Sequence, residues 1–144
     1  MSAYIKGQTK IRDVECLVKA LTKMTTKSGT ELVEGKSFFV HKEAKNLVGY
    51  RGKTRDEVAN VIIPKAVVGN ASNDIGFKRE MNGTYSMIIS KFDQSFYDSE
   101  WQNKLKQTYA EEYIKKKASA LGYTLEYQQT SDGTKKLTAT RTIY

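Results

Sequence analysis

IGFKREMNGTYSMII, residues 75–89, is the stretch whose reading decides the fold. It holds two apolar, β-prone runs around a turn, and the turn can be built in two ways. A three-residue loop of Met81, Asn82 and Gly83, with Gly83 left-handed, sets Ile75 opposite Ile89, Phe77 opposite Met87 and Arg79 opposite Tyr85. A two-residue Asn82-Gly83 turn sets Phe77 opposite Ile88 and throws Met87 and Ile89 onto the other face. Only the longer loop gives one continuous apolar face, because a one-residue slip reverses every side chain. The same test with Ser131, Asp132 and Gly133 as loop pairs Tyr127 with Leu137 and Leu125 with Ala139. Both hairpins are antiparallel.

Upstream, residues 58–68 form an apolar, β-branched run broken by Pro64, which cannot donate to a strand ladder and suggests an edge or a bulge. Residues 69–73 read as a turn and 49–57 as a loop. Before them lie strand-like segments at 37–41 and 46–50, and a polar loop at 25–35 rich in Thr, Ser and Gly. Near the amino end, residues 3–11 suit a strand. Asp13 suits the N-cap of a helix whose apolar residues Val14, Leu17, Val18, Leu21 and Met24 share one face. Cys16 lies off the centre of that face and reads as a partly covered thiol.

Downstream, a long helix is expected over 99–121, with Asp98 as N-cap and Gly122 just past its end. It carries two apolar rows on nearly opposite sides: Trp101, Leu105, Tyr109 and Tyr113, then Ala110, Ile114, Ala118 and Leu121. Glu111 with Lys115 and Glu112 with Lys116 are spaced as i, i+4 ion pairs and suggest a solvated stretch. The order is therefore β-α-β-β-β-β-β-α-β-β. This predicts one α+β domain over residues 1–144, a mainly antiparallel sheet backed by two helices.

Composition agrees with a single globular core: 144 residues, 39% hydrophobic and 28% charged. No apolar run approaches the roughly 20 residues of a bilayer span, and the first 15 residues lack the apolar core of a secretory signal. With one cysteine and one histidine the chain has neither an intrachain disulfide nor a structural zinc site, and a cytoplasmic setting is expected. The formal charge of +8 favours an acidic partner, DNA or RNA or an acidic protein, and no membrane.

The segments Gly49-Tyr50-Arg51-Gly52, Asp74-Ile75-Gly76-Phe77-Lys78-Arg79 and Gly83-Thr84-Tyr85 occur in an order that resembles a known family. It is the hypothetical chloroplast reading frame thirty-five family, found in plastids, cyanobacteria and some phages. The opening Gln8-Thr9-Lys10-Ile11 strand, the helix residues Leu105, Tyr109 and Ala110, Leu121-Gly122-Tyr123 and the Asp132-Gly133-Thr134 hairpin extend the likeness over most of the chain. Residues 25–45 look longer than the family pattern and read as a loop insertion. The resemblance implies a fold and an uncharacterised phage-like or plastid-like protein, with no activity to carry over.

No phosphate loop, nucleophile elbow, Cys-x-x-Cys pair or zincin helix is present, so no catalytic residue, cofactor or metal is expected. His41 closes a Phe-Phe-Val strand without a local partner and reads as structural. Two binding surfaces are nominated instead. The first is the loop Tyr50, Arg51, Lys53 and Arg55, whose guanidinium groups and glycine-flanked amides suit a phosphate and whose Tyr50 ring suits a base. Arg79, opposite Tyr85, and Lys135 and Lys136 of the last hairpin would extend it. The second is a ridge of Trp101, Tyr109 and Tyr113 on the long helix, suited to a partner protein where the core does not take it up; most of the row reads better as core, with Tyr113 the exception, and a sheet edge is the alternative surface. The expectation is a non-catalytic binding module for the nucleic-acid backbone or, alternatively, a protein-interaction adaptor.

Overall fold

The computed structural model describes residues 3–129 and 135–141. Its elements are β1 (Tyr4–Gln8), α1 (Val14–Thr22), β2 (Phe39–Val48), β3 (Thr54–Ile63), α2 (Lys65–Val68), β4 (Ile75–Arg79), β5 (Tyr85–Ser90), α3 (Ser99–Ala120), β6 (Tyr123–Gln129) and β7 (Lys135–Arg141). The class is α+β. A five-stranded antiparallel sheet runs β1-β5-β4-β3-β2, and β6 and β7 form a separate pair.

The central hairpin takes the expected register, with Phe77 opposite Met87 and Arg79 opposite Tyr85. Glu80 donates to the Thr84 carbonyl at 2.7 Å and closes the three-residue loop. Gly83 closes it in a left-handed conformation, φ 85°, that side chains disfavour. The last hairpin also pairs Tyr127 with Leu137 and Leu125 with Ala139, while its expected loop, 131–133, lies outside the described residues.

Four expectations are corrected. The two strand-like segments at 37–41 and 46–50 are one irregular strand, β2, whose pairing with β3 shifts twice. Part of the expected 25–45 insertion is therefore sheet. Pro64 marks neither an edge nor a bulge: β3 lies between β4 and β2, and Pro64 sits after its end as the N-cap of α2, where a missing N–H costs nothing. Cys16 is a fully buried core residue, and burial, then the nearby Asp13 carboxylate, raises its thiol pKa.

One face of the sheet carries the main core. Val61, Ile63, Ile75, Phe77, Met87 and Ile89 meet Leu17, Ala20 and Leu21 of α1 and Trp101, Leu105 and Tyr109 of α3. Asp13 and Asp98 cap the two helices as expected, accepting from the Cys16 and Trp101 amides. The segment before β2 is tied into the same core by Leu32 and Phe38, both buried. Trp101 Nε1 donates to the Thr25 carbonyl at 3.1 Å, and the Tyr97 hydroxyl accepts from the Lys27 amide.

The opposite face is covered by the chain itself. The two shifts in the β2–β3 pairing bend that hairpin, as bulges do. Its far end folds over β4, which pairs with β3 but is not the sheet neighbour of β2. Val48 and Asp74 exchange two bonds there, through the Asp74 amide at 3.0 Å and the Asp74 carboxylate at 2.8 Å. Leu47 and Ala59 press on Gly76 so closely that a Cβ there would stand 2.6 Å from the Ala59 Cβ. Together with Ile62 and Ile88 they form a second, smaller apolar cluster.

Candidate interaction groove

The loop nominated for phosphate is the tip of this bent hairpin. It repeats the three-residue loop of the central hairpin, with Gly52 left-handed and Gly49 donating to the Lys53 carbonyl at 2.8 Å. Two of the loop amides that could face an anion are engaged inside the protein. Tyr50 donates to Asn73 Oδ1 at 3.0 Å and Gly52 to the Gly49 carbonyl at 2.8 Å. Those two amides are not available to an anion.

Side chains remain: Arg51 and Lys53 are exposed, and the Arg51 guanidinium lies 5.3 Å from the Tyr50 ring centre. Arg55 turns inward over the ring of Tyr4 at 5.0 Å and so helps hold the hairpin down. Arg79 is exposed at the opposite end of β4. Six residues of extended chain from Asn73 to Arg79 put roughly 20 Å between it and the hairpin tip. Lys135 and Lys136 lie in the separate β6–β7 pair, opposite Gln129 and Gln128. The nominated cations are thus distributed over three parts of the fold.

Sequence reasoning took residues 69–73 for a plain turn and missed the polar clasp beneath the tip. Asn73 and Asp93 are fully buried. The Asn73 amide and side chain donate to Asp93 Oδ2 at 3.0 and 3.1 Å, and Ser90 donates to the same oxygen at 2.7 Å. Asp74 accepts from the Lys65 amide as well as from Val48, and burial raises its carboxyl pKa despite those two bonds. The only available signal was a run of Ser, Asn and Asp between two apolar strands, a pattern shared by countless turns.

The expected helix ridge is also corrected. Trp101 and Tyr109 are 6% and 7% exposed and belong to the core, so they are not a partner surface. The Tyr109 hydroxyl accepts from the Arg12 and Asp13 amides at 2.9 and 3.0 Å, fixing the start of α1. Nor are Glu112 and Lys116 paired with each other. Glu112 is buried against Lys23, just past the end of α1, and Lys116 reaches Asp13 at 2.7 Å and Glu15 at 3.3 Å. The supposed solvated stretch is the α1–α3 seam.

What α3 leaves open is its other row. Ile114 is 44% and Leu121, just past the helix, 69% exposed. Ala110 is exposed as well. A groove of about 690 Å³ runs between this row and residues 8–11 at the end of β1, with Tyr109 and Tyr113 in its wall. A second groove of about 380 Å³ continues it past Ala118 to Tyr123 and Leu125 of β6, and the two share Tyr113 and Ile114. Their linings are mostly apolar, and among the described residues their charged members are Lys10, Lys106 and Lys117, with no carboxylate. Lys117 lies 5.3 Å from the Tyr113 ring centre. Of the nominated ridge, Tyr113 alone faces this groove without being buried in the core.

Among the described residues no helix is long and apolar enough to cross a membrane. Residues 37–138 match the family described as "Protein of unknown function (DUF1257)", which covers all of β2 to β6 and the first part of β7. No curated protein and no solved structure matches the chain.

Proposed function

We propose a function from the groove itself, because the chain belongs to DUF1257, a family whose own description is of unknown function. The chain is read as a non-catalytic protein-interaction module that receives a partner along the outer row of α3. One observation carries this: an apolar groove lined by Ala110, Tyr113 and Ile114 stays open on a helix whose other row is buried. A concave, mostly apolar groove edged by a few polar groups is the usual form of a binding site. The plastid or phage setting implied by the family resemblance suits an intracellular module, in cytoplasm, plastid stroma or an infected host.

The test is photo-crosslinking in extract from the source cells. Benzoylphenylalanine at position 114 is expected to give discrete protein adducts that the same group at exposed position 82 does not. Equal labelling from both positions, or none from 114, removes the groove as the interaction site.

A second reading, nucleic-acid backbone binding, is favoured by the Tyr50–Arg51 pair with Lys53 at the hairpin tip. Two exposed cations beside an aromatic face suit a phosphate and an unstacked base. Binding of short DNA and RNA across a salt series, with and without Arg51→Ala and Lys53→Ala together, tests it. Binding at low salt that the double substitution weakens supports it, and no binding at low salt removes it.

A further inference from the structure

Resting on the groove reading, we propose that the occupant is an acidic amphipathic helix of a partner protein, laid along α3. The first support is shape. From Lys106 to Leu121 the groove follows α3 for 15 residues, about 22 Å at 1.5 Å per residue. That is the length of roughly four helical turns. Ala110 and Ala118 flank Ile114 on the floor, so a second helix approaches closely on either side of one protruding side chain. An amphipathic helix offers a matching single stripe at i, i+4 and i+7.

The second support is charge. Lys10 and Lys106 line the first groove and Lys117 the second, and no carboxylate among the described residues lines either. Along the seam between the two helices, by contrast, lysines are paired: Lys19 with Glu15, Lys23 with Glu112, and Lys116 with Asp13 and Glu15. Among the described residues the three groove lysines make no ion pair. They stand at both ends of an apolar floor, where carboxylates flanking the apolar stripe of a partner helix would meet them. Such complementarity sets orientation and rejects a basic partner.

The probe is a fluorescein-labelled peptide of about 16 residues, ~24 Å of helix, with leucines on one stripe and glutamates flanking it. A counterpart carries lysines in place of the glutamates. The glutamate peptide is expected to bind at least tenfold more tightly at low salt, an advantage that shrinks as salt rises. Lys106→Glu with Lys117→Glu is expected to abolish or reverse that preference. Ile114→Asp, and Ala110→Trp as an independent block of the groove, are expected to remove binding while the melting temperature stays near that of the parent.

Equal binding of both peptides, lost in Ile114→Asp and Ala110→Trp, overturns the acidic partner and leaves the groove reading standing. Binding of neither peptide, or binding that both blocking substitutions leave intact, overturns the groove reading as well. A dimer in sedimentation that Ile114→Asp dissociates assigns the groove to a second copy of this chain and overturns the acidic partner.

Discussion

The molecule has two apolar surfaces outside its main core, and it treats them differently. On the far face of the sheet Ile88 is 2% exposed, because the bent β2–β3 hairpin brings Leu47 and Ala59 down over Gly76. On the outer row of α3 Ile114 is 44% exposed, and the groove beside it stays open. The first surface is hidden by specific devices: two register shifts, a glycine too crowded for a Cβ, and a clasp of Asn73 and Asp74. The second has none of these. Exposure in this fold is therefore decided by where the hairpin bends, since either surface is apolar enough to be buried.

Truncations on the two surfaces give the largest expected contrast. Leu47→Ala removes a fully buried side chain and is expected to cost ~2–5 kcal/mol. Ile114→Ala, on the open surface, is expected to stay within ~0.5 kcal/mol of the parent. Urea unfolding of both variants measures the difference. Similar losses at the two sites would break the comparison by showing that α3's outer row is covered in solution.

A smaller effect tests how closely the cover fits. Glycine within a strand normally gains about 0.5–1 kcal/mol on replacement by alanine, but at Gly76 the new methyl meets Ala59 and Leu47. Gly76→Ala is expected to lose ~1–3 kcal/mol. Ala59→Gly in the same chain, by removing the nearest atom, is expected to recover part of the loss. A stabilising Gly76→Ala would mean that the hairpin stands away from the sheet.

The clasp should be worth slightly less. Asp74→Asn keeps one oxygen and sets an NH₂ group against either the Val48 or the Lys65 amide, so ~1–2 kcal/mol is expected to be lost in the same measurement. No change would release the hairpin from its proposed anchor and leave Leu47 as its main attachment.

How much of this was legible in the sequence follows from the range over which each feature is specified. The central and the last hairpin could be registered because period-2 patterning and a glycine three residues into the loop are local, and Phe77 opposite Met87 follows from them. The helix caps Asp13 and Asp98 are equally local. The bend of β2–β3 was not legible, since its two bulges are defined only by a partner strand, and Pro64 was misread for the same reason. On α3 both apolar rows were visible, but an isolated row cannot say which one a sheet will cover. The aromatic row was nominated as a partner surface although most of it reads better as core with Tyr113 as the exception, and that is how it packs, because large rings bury the most area and are drawn inward. The i, i+4 pairing of Glu112 with Lys116 failed because α1 supplied closer partners for both.

The smallest expected effect sets the clasp under the hairpin against the seam beneath α3, through two buried carboxylates with opposite shifts. Burial raises the Asp74 carboxyl above its ordinary range, and its two backbone bonds and nearby Lys65 do not cancel that. For Glu112 burial also pushes upward, but the hydrogen bond and charge of Lys23, with Lys115 and Lys19, hold the carboxyl below its ordinary range. The folded state thus holds a proton on Asp74 more readily than the unfolded chain and one on Glu112 less readily. Stability contributed by Glu112 is full above the unfolded value of about 4.3 and is lost as pH falls through its lower folded value. The contribution of Asp74 is most favourable below about 3.9 and declines as pH rises towards its higher folded value. In urea midpoints taken from about pH 3 to 7, the difference between parent and Glu112→Gln is expected to shrink on acidification, and that between parent and Asp74→Asn to grow. Each slope is bounded by ~1.4 kcal/mol per pH unit for one group. Ile114→Ala, on the uncovered surface and away from both carboxylates, is expected to follow the parent at every pH. Parallel slopes for the two carboxylate variants would place Asp74 in a wetter site than a closed clasp allows, and would reopen the far face of the sheet as a second exposed surface.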